Sequence, residues 1–216
     1  MIRFSALLGT LLAVAACGGS AAPSGSASTG PSNQTVQPGA EPSVRTVDFQ
    51  NFTYDLGSDG TYTVANGMFE FSYDADGNVI PAGAAQPDPD GYVEQGWFQV
   101  AAPVYGDVTG DGVEEALIQS ELNSGGTGRF SAIAVYGMRD GAPVVIGGIP
   151  GGDRGDGGIY DVNVEGGLAI VKRLHSLDED GACCPSKVQV EHWRWDGSRF
   201  VEDESARTMI DNDGPY

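Results

Sequence analysis

Phe130-Ser131-Ala132-Ile133-Ala134-Val135-Tyr136-Gly137-Met138-Arg139-Asp140-Gly141-Ala142-Pro143-Val144-Val145-Ile146 decides the fold class. Two runs rich in β-branched and aromatic residues flank Asp140-Gly141. That dipeptide suits a type I′ turn, because both central positions need positive φ, which Gly tolerates freely and Asp better than most. The stretch reads as a β-hairpin. The same mark recurs at Asp59-Gly60, Asp76-Gly77 and Asp196-Gly197, each between residues that favour strands. Met68 to Tyr73 leads into the second of these; Val188 to Trp195 and Arg199 to Val201 flank the last. Tyr160 to Val164 and Leu168 to Lys172 surround Glu165-Gly166-Gly167. Strands about ten residues apart with turn signals between them predict a mainly β fold, not alternating βαβ units. The expected architecture is antiparallel hairpins forming a sheet, a sandwich or a partly open barrel. Glu114 to Leu122 fits two helical turns and a strand about equally, Glu202 to Ile210 reads as a short terminal helix, and proline-rich Pro81 to Asp90 as a surface loop.

The chain has 216 residues, with 30 Asp plus Glu against 11 Lys plus Arg, a formal net charge of −19. Such an acidic chain is a poor partner for nucleic acid, whose phosphates attract Lys and Arg and repel carboxylates. Hydrophobic residues make up 40%, enough for a buried core, and the length fits one domain with appendages.

Met1-Ile2-Arg3 supplies one positive charge, and Phe4 to Ala16 follows without any charge. This run is shorter than the about 20 residues a membrane span needs and fits the basic and apolar regions of a signal peptide. It ends in Val14-Ala15-Ala16-Cys17, which resembles the lipobox of bacterial lipoproteins: an aliphatic residue, two small residues, then the cysteine that becomes the mature N-terminus. The resemblance implies diacylglycerol on the Cys17 sulfur and a membrane partner through that lipid. Two acyl chains hold where one only visits, since each buried methylene contributes about 0.8 kcal/mol. Gly18 to Ser43 is almost wholly small, polar or Pro residues, with too little to bury to offset the entropy of ordering. The expected organisation is a signal peptide at 1–16, lipidated Cys17 with a flexible tether to 44, and a single extracytoplasmic domain at 45–216. Removing Arg3 and Glu41 leaves that domain 10 basic and 29 acidic residues, hence the whole net charge.

The strongest chemical motif is Gly106-Asp107-Val108-Thr109-Gly110-Asp111-Gly112-Val113-Glu114-Glu115. Counted from Asp107, oxygen-bearing side chains fall at positions one, three, five and nine. Calcium takes six to eight hard oxygen ligands, and such a loop can present Asp107, Thr109, Asp111, the Val113 carbonyl and Glu115 to one ion, with Gly112 permitting the sharp turn. The spacing matches the first nine positions of an EF-hand, but the twelfth, where an EF-hand has a bidentate Glu, is Ile118, and the flanks read as strands. The competing reading is a tight turn whose carboxylates take local backbone hydrogen bonds. Asp74-Ala75-Asp76-Gly77-Asn78 is a weaker acidic turn of the same kind.

The motif resembles the strand-loop-strand calcium site of FG-GAP and VCBS-type repeats, departing from it at Thr109, where a carboxylate is lost. The resemblance extends through Ser124-Gly125-Gly126-Thr127-Gly128, Gly152-Asp153-Arg154 and Ala182-Cys183-Cys184-Pro185-Ser186. In that order these look like the landmarks of uncharacterised bacterial secreted lipoproteins with one FG-GAP-like loop, over roughly residues 98–201. That family implies no enzymatic activity.

With Cys17 lipidated, the adjacent Cys183 and Cys184 remain. Thiols of exported proteins tend to oxidise; neighbouring Cα atoms lie about 3.8 Å apart, below the usual disulfide span, so a vicinal bond is strained and more easily reduced. A rigidifying disulfide and a redox sensor are both open, although Asp178, Glu179 and Asp180 disfavour an activated thiolate. His175 and His192 belong to no spaced metal set, and no nucleophile elbow, P-loop or dinucleotide fingerprint is present. Arg154-Gly155-Asp156 spells an adhesion tripeptide that arises easily by chance in so Gly- and Asp-rich a chain. Trp193 and Trp195 fall on one strand face by period two. The reading is a binding or envelope-associated module with an unidentified envelope ligand. Its rivals are a wall- or glycan-acting hydrolase using paired carboxylates and the redox sensor.

Overall fold

Asp140 and Gly141 both adopt positive φ, 53° and 79°, and the runs on either side pair antiparallel in the computed structural model. The structure describes residues 42–57, 60–85, 87–88, 93–181 and 184–214. In chain order the strands are β1 (Thr53–Asp55), β2 (Thr61–Thr63), β3 (Met68–Tyr73), β4 (Val79–Pro81), β5 (Gln95–Val100), β6 (Val104–Gly106) and β7 (Glu115–Asn123). They continue with β8 (Phe130–Arg139), β9 (Ala142–Asp153), β10 (Ile159–Glu165), β11 (Leu168–His175), β12 (Lys187–Trp195), β13 (Phe200–Glu202) and β14 (Thr208–Asp211). The fold is mainly β and its sheets are antiparallel, and among the described residues they form no closed barrel.

A seven-stranded sheet runs β4-β3-β5-β7-β8-β9, with β6 also paired to β7; a five-stranded sheet runs β10-β11-β12-β13, with β14 also on β12; β1 and β2 form a separate ribbon. The turn signals sit where the hairpins are. Gly77 lies between β3 and β4, Gly166-Gly167 join Glu165 to its partner Leu168, and Gly197 lies between β12 and β13, all with positive φ.

β7 is the strand around which the rest packs. Glu115, Ala116, Leu117 and Ile118 are all buried, and because side chains alternate faces along a strand they serve two cores. Ala116 and Ile118 join Phe71, Phe98, Val100 and Tyr136 beneath the β1–β2 ribbon, with Tyr54, Tyr62 and Phe49. Leu117, beside its partner Val135, joins Ile133 and Ile149 and faces Val162, Ala169, Val171 and Phe200 of the five-stranded sheet. The large sheet is thus covered on both faces, the ribbon on one side and the smaller sheet on the other. The ambiguous run at 114–122 becomes strand because both its faces are apolar and only extended backbone delivers them to opposite layers.

Val44 is buried at 1% in the first core, so packing reaches one residue into the stretch read as tether. The terminal helix expected over Glu202 to Ile210 is not formed. Only Glu204–Ala206 makes a 3-10 turn, with the Asp203 side chain accepting from Ser205 N–H, and Thr208–Asp211 pairs with β12 as β14. The free ladder of β12 supplies hydrogen bonds that a short exposed helix would have to find within itself.

Leu117 is fully buried, and replacing it by alanine removes methyl groups from a layer clamped between two sheets. Leu117→Ala is expected to lower the unfolding free energy by about 2–5 kcal/mol, seen as an earlier urea midpoint. A loss under about 1 kcal/mol would show that the two layers collapse onto each other freely.

Candidate functional site

The loop from Asp107 to Glu114 joins β6 to β7, two strands paired antiparallel with Gly106 opposite Glu115. Val108, 2% exposed, plugs the second core and pins the loop from below. Asp107 organises the turn above: its Oδ1 accepts from Gly110 N–H at 2.6 Å and its Oδ2 from Gly112 N–H at 2.9 Å. Gly110 and Gly112 hold φ of 80° and 88°, a backbone that a side chain would strain. Asp111 Oδ1 accepts from Val113 N–H at 2.8 Å.

Glu115 closes the loop from the strand side. It is 4% exposed; its Oε2 accepts from Val108 N–H (3.0 Å) and Thr109 N–H (3.3 Å), and its Oε1 from Thr109 Oγ1–H (3.3 Å). Burial raises its pKa against the lowering pull of the two amides, and the nearby charge of Asp111 raises it further. Among the described residues none of Asp107, Asp111 and Glu115 is in an ion pair. The donor set is all oxygen and suits a hard cation. Much of its capacity is taken by the loop's own amides, and among the described residues no three acidic, His or Cys side chains are gathered as a metal-holding group. Beside the loop lies a groove of about 560 Å³, lined by Thr109, Asp111, Val113, Glu115, Arg139 and Trp195 among others.

The remaining expected residues are more dispersed. Cys17 and Cys183 lie outside the described residues; Cys184 N–H donates to the Gly181 carbonyl. Asp180, close to the cysteine pair in sequence, accepts from Leu177 N–H and Ser186 N–H, both at 2.8 Å, and these bonds hold its pKa low. His175 Nδ1 lies 3.8 Å from Asp156 Oδ1. Asp74 spends its carboxylate on Asp76 N–H and Asn78 N–H, shaping the β3–β4 turn. Trp195 packs on Phe200 with ring centroids 5.1 Å apart, and both Trp193 and Trp195 border the second core.

A second cavity was not foreseen. It has a volume of about 400 Å³ and is lined by Arg129, Arg154, Ser131, Tyr160, Leu174 and Pro185 among others. Its walls come from the ends of several strands, so no single stretch of sequence announces it. Cys184 also lines it. No family model and no curated protein matches the chain.

The other buried carboxylate, Glu191 on β12, is 2% exposed. Arg173 meets it with Nε to Oε1 at 2.9 Å and Nη2 to Oε2 at 3.1 Å, and Gln189 Nε2–H and Trp193 Nε1–H donate at 2.6 and 2.8 Å. Burial pushes its pKa up, but the guanidinium and the indole N–H outweigh burial and the carboxyl ends below its ordinary value. Its ionised form therefore stabilises the fold above the unfolded pKa of about 4.3, and that contribution is lost as pH falls through the depressed folded value. Glu191→Gln strands the Arg173 charge and is expected to cost about 3–5 kcal/mol at neutral pH. Urea melts between neutral and acid pH should show a shallower acid decline in the variant. Parallel pH profiles for the two proteins would mean Glu191 does not titrate with unfolding.

Proposed function

We propose that the protein is an extracytoplasmic lipoprotein, anchored to the membrane through diacylglycerol on Cys17, whose β domain acts as a binding or envelope-associated module with a calcium-stabilised loop. The observation that carries the calcium reading is the Asp107–Glu115 loop itself. Of its four carboxylates Glu114 pairs with Arg45, while Asp107, Asp111 and the buried Glu115 meet no Lys or Arg in an ion pair among the described residues. Asp107, Thr109, Asp111, the Val113 carbonyl and Glu115 would hold the ion, which would neutralise their mutual repulsion and tie the loop to the head of β7. Its role is structural. Binding rather than turnover is favoured because the two buried carboxylates among the described residues are committed: Glu115 to its own loop and Glu191 to Arg173.

One observation favours a hydrolase instead. Asp111 and Glu115 line the same groove as Trp195, an arrangement that would suit a sugar with two acids beside it. Chromogenic glycosides and peptidoglycan offered to the purified domain separate the readings, since turnover abolished by Glu115→Gln belongs to the hydrolase alone.

For calcium, the expected result is a Tm several degrees higher with calcium than with chelator, because a ligand bound only by the folded state stabilises it. Asp111→Asn keeps an oxygen for the Val113 amide while removing the charge, so it should shrink the calcium-dependent increment and leave the chelator Tm nearly unchanged. Identical melting of the unsubstituted domain in the two buffers retires the site. For the anchor, Cys17→Ser should move the protein from the membrane to the soluble fraction after removal of the apolar leader; retention of the serine variant in the membrane would assign anchoring elsewhere.

A further inference from the structure

Arg129, which directly follows the glycine-rich run at 124–128, Arg154 of the Gly152-Asp153-Arg154 triplet and the Cys184-Pro185 segment are far apart in sequence, yet all line the 400 Å³ cavity. Two of these are arginines. Phe130 on β8 pairs with Asp153 on β9, and one step outward Arg154 N–H donates to the Arg129 carbonyl at 3.0 Å. The two arginines therefore stand directly across from one another, and both side chains line the same cavity. Like charges in this cross-strand position repel and weaken the pairing. In a chain with 11 basic residues and 30 acidic ones, carboxylates are plentiful, and placing two guanidiniums together is a cost that the fold alone does not require.

The frame around them is rigid. Asp153 Oδ2 accepts from Arg129 N–H and Oδ1 from Gly155 N–H, both at 2.9 Å, so its carboxylate is turned to the backbone that carries the arginines. Asn123 Nδ2–H donates to the carbonyls of Gly126 and Gly128, fixing the approach to Arg129. Ser131 Oγ accepts from Ile159 N–H, Gln119 Nε2–H donates to the Ile159 carbonyl, and Asn212 Nδ2–H donates to the Pro185 carbonyl. The polar walls are thus spent on holding the walls. The two guanidiniums differ: Arg129 Nε lies 3.1 Å from Glu121 Oε1 and its guanidinium stands 5.2 Å from the Trp97 ring centre, whereas the Arg154 side chain is in no ion pair among the described residues.

We propose that this cavity binds a small monocarboxylate with an apolar body, its carboxylate received by the planar fork of Arg154 beside Arg129, its body lying against Tyr160, Leu174 and Pro185. Arg129 is met directly by Glu121, whereas Asp153 acts on Arg154 only through space, its oxygens being taken by backbone amides, which leaves the Arg154 fork to one carboxylate. A phosphate dianion would have to face Glu121 as well. Two parallel N–H donors fit a carboxylate edge, and the volume lies within the range of small-molecule sites. The inference gives the binding-module reading a ligand class and is independent of calcium.

Titration calorimetry of the full domain with hexanoate, hexanol and inorganic phosphate tests it, run in chelator so that the outcome says nothing for or against the calcium loop. Saturable binding of hexanoate is expected, with hexanol at least about tenfold weaker for want of the charge-assisted pair. Arg154→Gln should weaken hexanoate by about tenfold or more at unchanged Tm, and Arg154→Lys, which keeps the charge but loses the fork, should fall between. Three results overturn the proposal: no saturation of the unsubstituted domain by about 10 mM hexanoate, equal affinity in the unsubstituted and Arg154→Gln proteins, or tighter binding of phosphate than of hexanoate. None of them touches membrane anchoring or the calcium-dependent Tm.

Discussion

Covering both faces of β7 is the constraint from which the rest of the domain follows. A strand buried on both sides has no water to satisfy its N–H and C=O groups, so partners must lie along both its edges. β5 and β6 supply one edge and β8 the other. The apolar alternation then forces two different covers: the aromatic β1–β2 ribbon over Ala116 and Ile118, and the five-stranded sheet over Leu117.

Both ends of β7 finish in a buried polar residue, and each organises a loop. Glu115 gathers the amides of Val108 and Thr109, while Asn123 gathers the carbonyls of Gly126 and Gly128 and accepts from Gly125 N–H. At about 3.3 Å per residue these anchors are about 26 Å apart. The acidic loop and the arginine-lined cavity are therefore two separate centres carried by one rigid strand, negative at its beginning and positive beyond its end. Ion pairs elsewhere, such as Arg45 with Glu114 and Arg207 with Glu202, are largely exposed on their basic side and contribute little. Arg173 with Glu191 is buried, where loss of either partner leaves a charge without a counterpart.

Much of the topology was legible because it is local. Asp140-Gly141, Gly166-Gly167 and Gly197 mark turns through the positive φ that glycine accepts readily, and the chain reverses at each. The loop at 107–115 was legible for the same reason, since its carboxylates act on amides a few residues away. Not legible were the long pairings: β5 with β7, from Val100 opposite Ser120 to Trp97 opposite Asn123, or β14 returning to β12, where a helix was expected. Nothing within Glu202 to Ile210 reveals that an unpaired ladder awaits it.

The amino-acid sequence by itself determined the secondary-structure class, the hairpins and the acidic loop, because turn geometry and strand preference are properties of neighbouring residues. It also carried the charge balance and the lipobox-like N-terminus. Only the tertiary structure decided that Glu115 faces inward, that Glu191 is partnered by Arg173, and that Arg129 and Arg154 stand opposite one another at a shared cavity. Those facts depend on strand register and on which layer covers which face, and both are settled by packing across the whole domain, where a shift of one residue would send every side chain to the other side.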